Sequence, residues 1–381
     1  MASVFLSKIV LVVMLMSNCA VTAVLGIRNL ETTSSKAAVT PNVPKGELNK
    51  DIIPAFVIFG DSTVDAGNNN YMATIVKSNF RPYGINFEGH VPTGRFTDGL
   101  LVTDYISQKL GIPMQLPYMS PDAHGERILS GVNFASSASG WFDNTAKHFN
   151  VMGLDTQLEW YNNWKTEVLQ LAGPTRGNFI ISNALYAIST GTNDWVNNYY
   201  LNLHLQNEYP PDKYTTLLVE NVRNYTMKLY SMGARNIVVL GLPPLGCVPS
   251  QITLHGHGNS TCVKRLNDVA INQNNQIIST IEAMKKETPG ARLIYTDIYY
   301  PIYNAFQDPQ KYGFKYARDG CCGTGDLEVS VLCNRVTATT CSNPSEHIFW
   351  DSFHPTSHFY SQLADYMYNL VKPIILAPPN P

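Results

Sequence analysis

From about residue 55 onward, short apolar runs of strand length alternate with longer stretches of helical periodicity, and this alternation limits the fold more than any other feature of the chain. The runs are Ala55–Phe59 (AFVIF), Gly131–Ala135 (GVNFA), Ala184–Ser189 (ALYAIS), Asn236–Leu240 (NIVVL) and Ala291–Tyr295 (ARLIY). Runs this short and this apolar suit strands buried on both faces of a parallel sheet. Helices are expected over Asp98–Leu110, Leu154–Leu171, Lys213–Met232, Val263–Lys286 and Thr356–Val371. Gly233 supplies a stop for the third of these, and Pro373 is expected to end the last. Strands that alternate with helices join in parallel, and right-handed crossovers put helices on both faces. The expected fold is therefore a three-layer α/β/α sandwich, with a mostly parallel five-stranded sheet in a single domain over residues 51–375.

The N-terminus has the form of a secretory signal. Lys8 precedes the apolar run Ile9–Met16 (IVLVVMLM), and Val21-Thr22-Ala23 offers a small-residue cleavage site, with Ala20 as another. A membrane anchor is the rival reading. It would need about 20 apolar residues, and Ser17-Asn18 interrupts this run. Residues 1–23 are thus expected to be a signal peptide and 24–50, polar and without periodicity, a flexible leader. A secreted, extracellular protein is expected, with no transmembrane segment in the mature chain.

Secretion gives the cysteines a meaning. Of the seven, Cys19 would leave with the signal. The remaining Cys247, Cys262, Cys321, Cys322, Cys333 and Cys341 are an even set, as disulfides require. Their clustering favours Cys247–Cys262 and two bridges among the other four, with Cys321 and Cys322 not bonded to each other, because that geometry is strained. A metal site built from His255, His257 and Cys262 is the alternative, but no CxxC pair supports it. The irregular stretch from about Pro309 to Pro344 is too long for an ordinary loop unless it is functional or stapled. Sequons at Asn224 and Asn259 are candidate glycosylation sites, while Asn343 is followed by Pro344 and fails. A formal net charge of −2 with no Lys/Arg run excludes a nucleic-acid partner.

Three short motifs carry chemistry. Phe59-Gly60-Asp61-Ser62 follows the first strand directly. Ligands in open parallel sheets bind beyond the carboxyl ends of the strands, so Ser62 is expected at that rim, at the start of a helix. Asp351-Ser-Phe-His354 pairs a carboxylate with an imidazole three residues away. A serine hydroxyl needs such a base to become nucleophilic, and the carboxylate fixes the base's tautomer. Gly191-Thr192-Asn193-Asp194 offers the Asn193 amide as a donor to an oxyanion. Each motif alone has a plain reading as a cap or a turn.

Together the blocks FGDSTVDAGNNN, GVNFASSASG, GTND and DSFHP resemble, in their order, the GDSL esterase/lipase family, also called SGNH hydrolases. PTGRFTDG at 92–99, GLPPLGC at 241–247 and CCGTG at 321–325 resemble its plant-type secreted branch, and the likeness runs from about Pro54 to Val371. The resemblance implies a flavodoxin-like sheet, Ser62 as nucleophile, His354 as general base and Asp351 as its orienting carboxylate. It implies an oxyanion hole of the Ser62 and Gly140 N–H groups with Asn193, and no metal or organic cofactor. Two departures stand out. Position 63 is Thr where Leu is expected, and Ser137 and Ala138 occupy positions often held by glycine, which makes the Ala138 N–H a rival to Gly140. Trp141 and Phe142 are expected in an acyl pocket or the core, and His347 and His358 are candidates to support the triad.

The partner implied is a small-molecule or polymeric ester, such as an acyl lipid, a polyester or an acetylated carbohydrate. An acyltransferase with the same residues, or a binding protein with a decayed site, are the competing functions.

Overall fold

The computed structural model describes residues 52–336 and 338–377, so the expected signal (1–23) and leader (24–50) lie outside the described residues. Four parallel strands form the sheet: β1 (Phe56–Gly60), β2 (Leu185–Ser189), β3 (Asn236–Leu240) and β4 (Arg292–Thr296), side by side in that order. The helices are α1 (Val102–Leu110), α2 (Asp143–His148), α3 (Leu154–Asn183), α4 (Leu203–Glu208), α5 (Pro211–Ser231), α6 (Pro249–His255), α7 (Lys264–Met284), α8 (Tyr299–Gln307) and α9 (Ser357–Leu376).

Among the described residues the sheet has four strands and not the expected five. The segment GVNFA does run parallel to β1, through Ile58 N–H to Val132 O (3.2 Å), Phe134 N–H to Ile58 O (2.8 Å) and Ser136 N–H to Gly60 O (2.9 Å). It forms only a single bridge there, at Asn133. The missing rung is at Gly60, whose N–H donates to Gln157 Oε1 (2.9 Å) and so does not bond to the segment beside it. The Asn133 side chain, which accepts from Ala135 N–H and donates to Val64 O, ties the segment to the turn after β1. This flank lies outside β1, while the later strands add on the other side. The winding therefore reverses between β1 and β2, and clefts in such sheets open where it reverses.

Alternate residues along each strand face opposite layers. Val57 and Phe59 join a core with Tyr161 and Trp164 of α3, Leu218 and Val222 of α5, and Ile277 of α7. Phe56 and Ile58 join another with Ile106 and Leu110 of α1, Ile302 of α8, and Leu363 and Met367 of α9. Each fully buried side chain of this size contributes roughly 1.5–3 kcal/mol.

The first helix begins at Val102 and not at Asp98, and two other helix ends differ from expectation. α3 continues past Leu171, because Gly173 (φ 75°) turns the chain and Pro174 restarts it as the first residue of a further helical stretch. α9 continues through Pro373 to Leu376. Proline in the last turn removes one N–H without stopping the remaining residues from following.

The described residues hold disulfides at Cys247–Cys262, Cys321–Cys341 and Cys322–Cys333, which match the expected clusters, and the last two staple the irregular stretch before the final helix. Among the described residues no helix is long and apolar enough to cross a membrane.

Candidate active site

β1 ends at Gly60, whose φ of +139° and close approach to Ser189 admit only glycine. A Cβ there would lie 2.0 Å from Ser189 O. The Asp61 N–H then donates to Ser189 O (3.0 Å), and the chain turns sharply. Asp61 Oδ1 accepts from Thr63 N–H (3.0 Å) and Thr63 Oγ1 (2.8 Å) and so fixes the turn that carries Ser62. No helix begins at Ser62, contrary to expectation: Val64 and Asp65 N–H close one turn on Asp61 O, and the chain then leaves helical geometry. The helix dipole therefore makes no contribution at this serine. Thr63, in place of the expected Leu, bonds to Asp61 and to Ser189 Oγ (3.0 Å).

Asp351 and His354 share one tight turn. Asp351 Oδ1 accepts from the backbone N–H of Phe353 (2.8 Å) and of His354 (2.7 Å). His354 Nδ1 lies 2.9 Å from both carboxylate oxygens, and His354 Nε2 lies 2.8 Å from Ser62 Oγ. The three side chains are brought together from positions 292 residues apart. Asp351 is 0% exposed, His354 5% and Ser62 8%. A carboxylate without water needs donors, and Asp351 has four of them when the Tyr83 hydroxyl, which donates to Oδ2 at 2.8 Å, is included.

Tyr83 has no motif to announce it. It is fully buried and accepts from the Ser330 N–H (2.8 Å) while it donates to Asp351. Burial, followed by the charge of Asp351, pushes its hydroxyl well above its usual range, so it remains a donor. The block PTGRFTDG also acquires a role. The Phe96 ring packs 4.8 Å from the His354 imidazole, Thr97 Oγ1 donates to Pro355 O (3.0 Å), and Asp98 Oδ1 accepts from Ser357 N–H (2.7 Å). These contacts hold the histidine from behind.

Asn193 stands beyond the end of β2, beside the serine. Its Nδ2 donates to Ser139 O (2.9 Å) and lies 3.4 Å from Asp61 Oδ2, while its Oδ1 accepts from Asn197 Nδ2 (2.6 Å). Burial pushes the Asp61 carboxyl up to about 6, against the lowering effect of the Thr63 hydrogen bonds.

The second block is ordered differently from the expectation that placed a donor at Gly140. Among the described residues, the N–H groups of Ser62, Ala138 and Gly140 have no protein acceptor. Ser139 O points at the Asn193 amide, and a trans peptide directs the next N–H the opposite way, so the Gly140 N–H points away from Asn193. Glycine at 140 serves packing. A Cβ there would lie 2.2 Å from Asp194 Oδ1, whose carboxylate accepts from Trp141 N–H (2.7 Å), Phe142 N–H (3.1 Å) and Thr145 Oγ1 (2.6 Å). Burial raises that carboxyl to about 7. Ser137 N–H is occupied by Asp65 Oδ2 (3.0 Å), and Ala138 holds a left-handed φ of 70°.

Ser62, Asn193 and His354 line a cleft whose other walls include Leu240, Val248, Phe353 and Leu363. Trp141 packs against Tyr225 and Phe142 against Tyr214, both away from the cleft. His347 stacks on Tyr316, the His358 ring lies tilted against Phe314, and neither reaches the triad. Cys262 is bonded to Cys247, and among the described residues no group of three or more His, Cys, Asp or Glu could hold a metal. Asn224, on α5, and Asn259, in the loop before Cys262, are both exposed.

A model of the GDSL-like lipase/acylhydrolase family matches residues 56–367. The chain is similar to the Arabidopsis thaliana proteins named GDSL esterase/lipase At5g22810, 44% identical over 82% of this chain and 88% of the relative, and GDSL esterase/lipase At5g03820, 42% identical over 86% and 92%. GDSL esterase/lipase EXL3, from the same plant, is 41% identical over 84% of this chain and 88% of its own length.

Proposed function

Since the chain belongs to the GDSL-like lipase/acylhydrolase family and is a carboxylic ester hydrolase, we propose that Ser62 is its nucleophile, His354 its general base and Asp351 the carboxylate that orients His354. The observation that carries this reading is the unbroken hydrogen-bonded line from Ser62 Oγ through both nitrogens of His354 to Asp351.

In the first half-reaction Ser62 Oγ attacks the ester carbonyl as His354 Nε2 takes its proton. The tetrahedral oxyanion is held by the Ser62 N–H, the Ala138 N–H and the Asn193 amide. Ala138 replaces Gly140 in this set, because the Gly140 N–H points away from Asn193. His354 then returns the proton to the leaving alcohol, and a water attacks the acyl-enzyme by the same route in reverse. A backbone donor needs no particular side chain, so Ser137 and Ala138 leave the hole functional and argue against a decayed site.

The three disulfides support a place of action outside the cell, where thiols oxidise. Hydrolysis of a short p-nitrophenyl ester tests the reading: Ser62→Ala should lower kcat by a factor on the order of 10⁴ or more with native unfolding behaviour. Wild-type turnover by that variant would refute it.

A further inference from the structure

The Asn193 amide can serve an oxyanion only when it is turned the right way round. A primary amide is nearly symmetric in shape, so a half-turn about its last bond exchanges Nδ2 for Oδ1 and replaces a donor by an acceptor. Contacts at both ends decide between the two orientations. Nδ2 donates to Ser139 O (2.9 Å), and Oδ1 accepts from Asn197 Nδ2 (2.6 Å). Nδ2 has a second N–H. The Asp61 Oδ2 beside it is 3.4 Å away, longer than an ordinary N–H···O bond, so this N–H stays available to the substrate.

Asn197 is placed by a wide turn. Asp194–Asn198 is π-helical, and the Tyr199 N–H donates to Asp194 O, five residues back, as well as to Trp195 O. Single π-turns of this kind occur often at functional sites. Asn193 and Asn197 are four residues apart and meet on one face of the turn. Asp194 and Asn198 share another face, and both bond to Thr145 Oγ1 of α2, at 2.6 and 3.0 Å. The Asp194 carboxylate also takes the N–H groups of Trp141 and Phe142. The turn is thus fastened to the segment whose Ser139 carbonyl holds the other end of the Asn193 amide. Asn197 is not a wall of the cleft, so its effect on the reaction has to pass through Asn193.

We propose that Asn197 is a positioning residue of the oxyanion hole, whose side-chain N–H fixes the Asn193 amide so that an N–H, and not a carbonyl oxygen, faces the tetrahedral intermediate. The proposal rests on the reading of Ser62 as nucleophile and Asn193 as an oxyanion donor. A half-turn of Asn193 would set Oδ1 against Ser139 O and Nδ2 against Asn197 Nδ2. Both contacts would join like partners and leave buried polar groups unsatisfied, so the two neighbours together select the productive orientation.

The test is a double-mutant cycle with Asn193→Ala, read as kcat and KM on a short p-nitrophenyl ester, with thermal unfolding followed for every protein. A carboxylate accepts and does not donate, so Asn197→Asp repels Oδ1, attracts Nδ2 and favours the turned amide. It should lower kcat about tenfold or more with KM within about twofold, as the loss of an oxyanion donor implies. Asn197→Leu keeps the shape, removes the donor and should lower kcat by a smaller factor, about threefold or more. In the Asn193→Ala protein each substitution should change kcat by less than about twofold, because no amide is left to orient. A merely structural role would lower kcat equally in both backgrounds. Wild-type kcat in the folded Asn197 variants, or the same loss in both backgrounds, would overturn the proposal. Where only one Asn197 variant folds, its own cycle decides. Wild-type kcat in Asn193→Ala would refute the oxyanion assignment and the proposal with it, while Ser62→Ala tests the nucleophile separately.

Discussion

The serine and the histidine that faces it are held by two differently built regions. Ser62 follows a strand that pairs along its whole length with β2 and is buried on both faces. Its position is inherited from a repeating backbone pattern and two packed layers. Asp351 and His354 follow about forty residues in which the longest regular elements are single 3₁₀ turns. Two disulfides and individual hydrogen bonds shape that region, among them Cys322 N–H to Trp350 O (2.8 Å) and Ser352 N–H to Glu328 O (3.0 Å). The strand-built half spreads its positioning over many equivalent contacts. The stapled half concentrates it in a few, so single changes there should disturb catalysis more than they disturb folding.

The largest effect expected from this contrast is at the stapled half's own carboxylate. Asp351→Asn should lower kcat by a factor on the order of 10⁴, because the amide favours the wrong imidazole tautomer. Steady-state kinetics on a short ester would show it, and a loss below tenfold would mean that Asp351 does not orient His354. The disulfides sharpen the comparison directly. Replacing Cys322 and Cys333 by Ala, or Cys247 and Cys262 by Ala, should each cost about 2–4 kcal/mol in denaturant unfolding. Only the first pair should also lower kcat in the protein that remains folded. Equal losses of kcat in both would erase the distinction.

Tyr83 links the stapled segment to Asp351 through Ser330. Tyr83→Phe should lower kcat by about tenfold with KM unchanged, as loss of one hydrogen bond to a charged group implies. It should also raise the pH at which kcat climbs, since the unshielded carboxylate favours the imidazolium form. A pH–rate profile checks the direction. Asp61 gives a stability effect of definite sign. Its carboxyl is raised to about 6 in the fold against an unfolded value near 3.8, so the folded state retains a proton that the unfolded state releases. This contribution is full below about pH 4 and is lost as pH rises through 6. Asp61→Asn should therefore show a shallower fall in Tm between pH 5 and 8 than wild type. The smallest effect is expected at Ala138, whose left-handed φ of 70° suits glycine. Ala138→Gly should stabilise by up to about 1 kcal/mol and retain activity, measured as a rise in Tm with kcat intact.

What could be read from the sequence follows the same divide. The four regular strands and the long helices announce themselves by period, because burial on one face or two repeats over many residues. The fifth strand misled, since GVNFA has strand composition while the Gly60 N–H that would complete its ladder is taken by the Gln157 side chain. Pro373 misled in the opposite direction, because proline near a helix end removes a single bond. Ser62, Asp351 and His354 were legible as ordered motifs, and the cysteines paired as their clustering suggested. Tyr83, Phe96 and the packing role of Gly140 were not legible. Each depends on a contact between distant segments, and no local pattern records such a contact.

The central claim is that the two halves meet at an activated serine. Labelling with a fluorophosphonate, followed by mass mapping of the modified peptide, tests it most directly. The expected result is rapid modification at Ser62 alone, slowed by orders of magnitude in His354→Ala with the fold retained. Modification at a different residue, or equal labelling of Ser62 in the His354→Ala protein, would contradict the account.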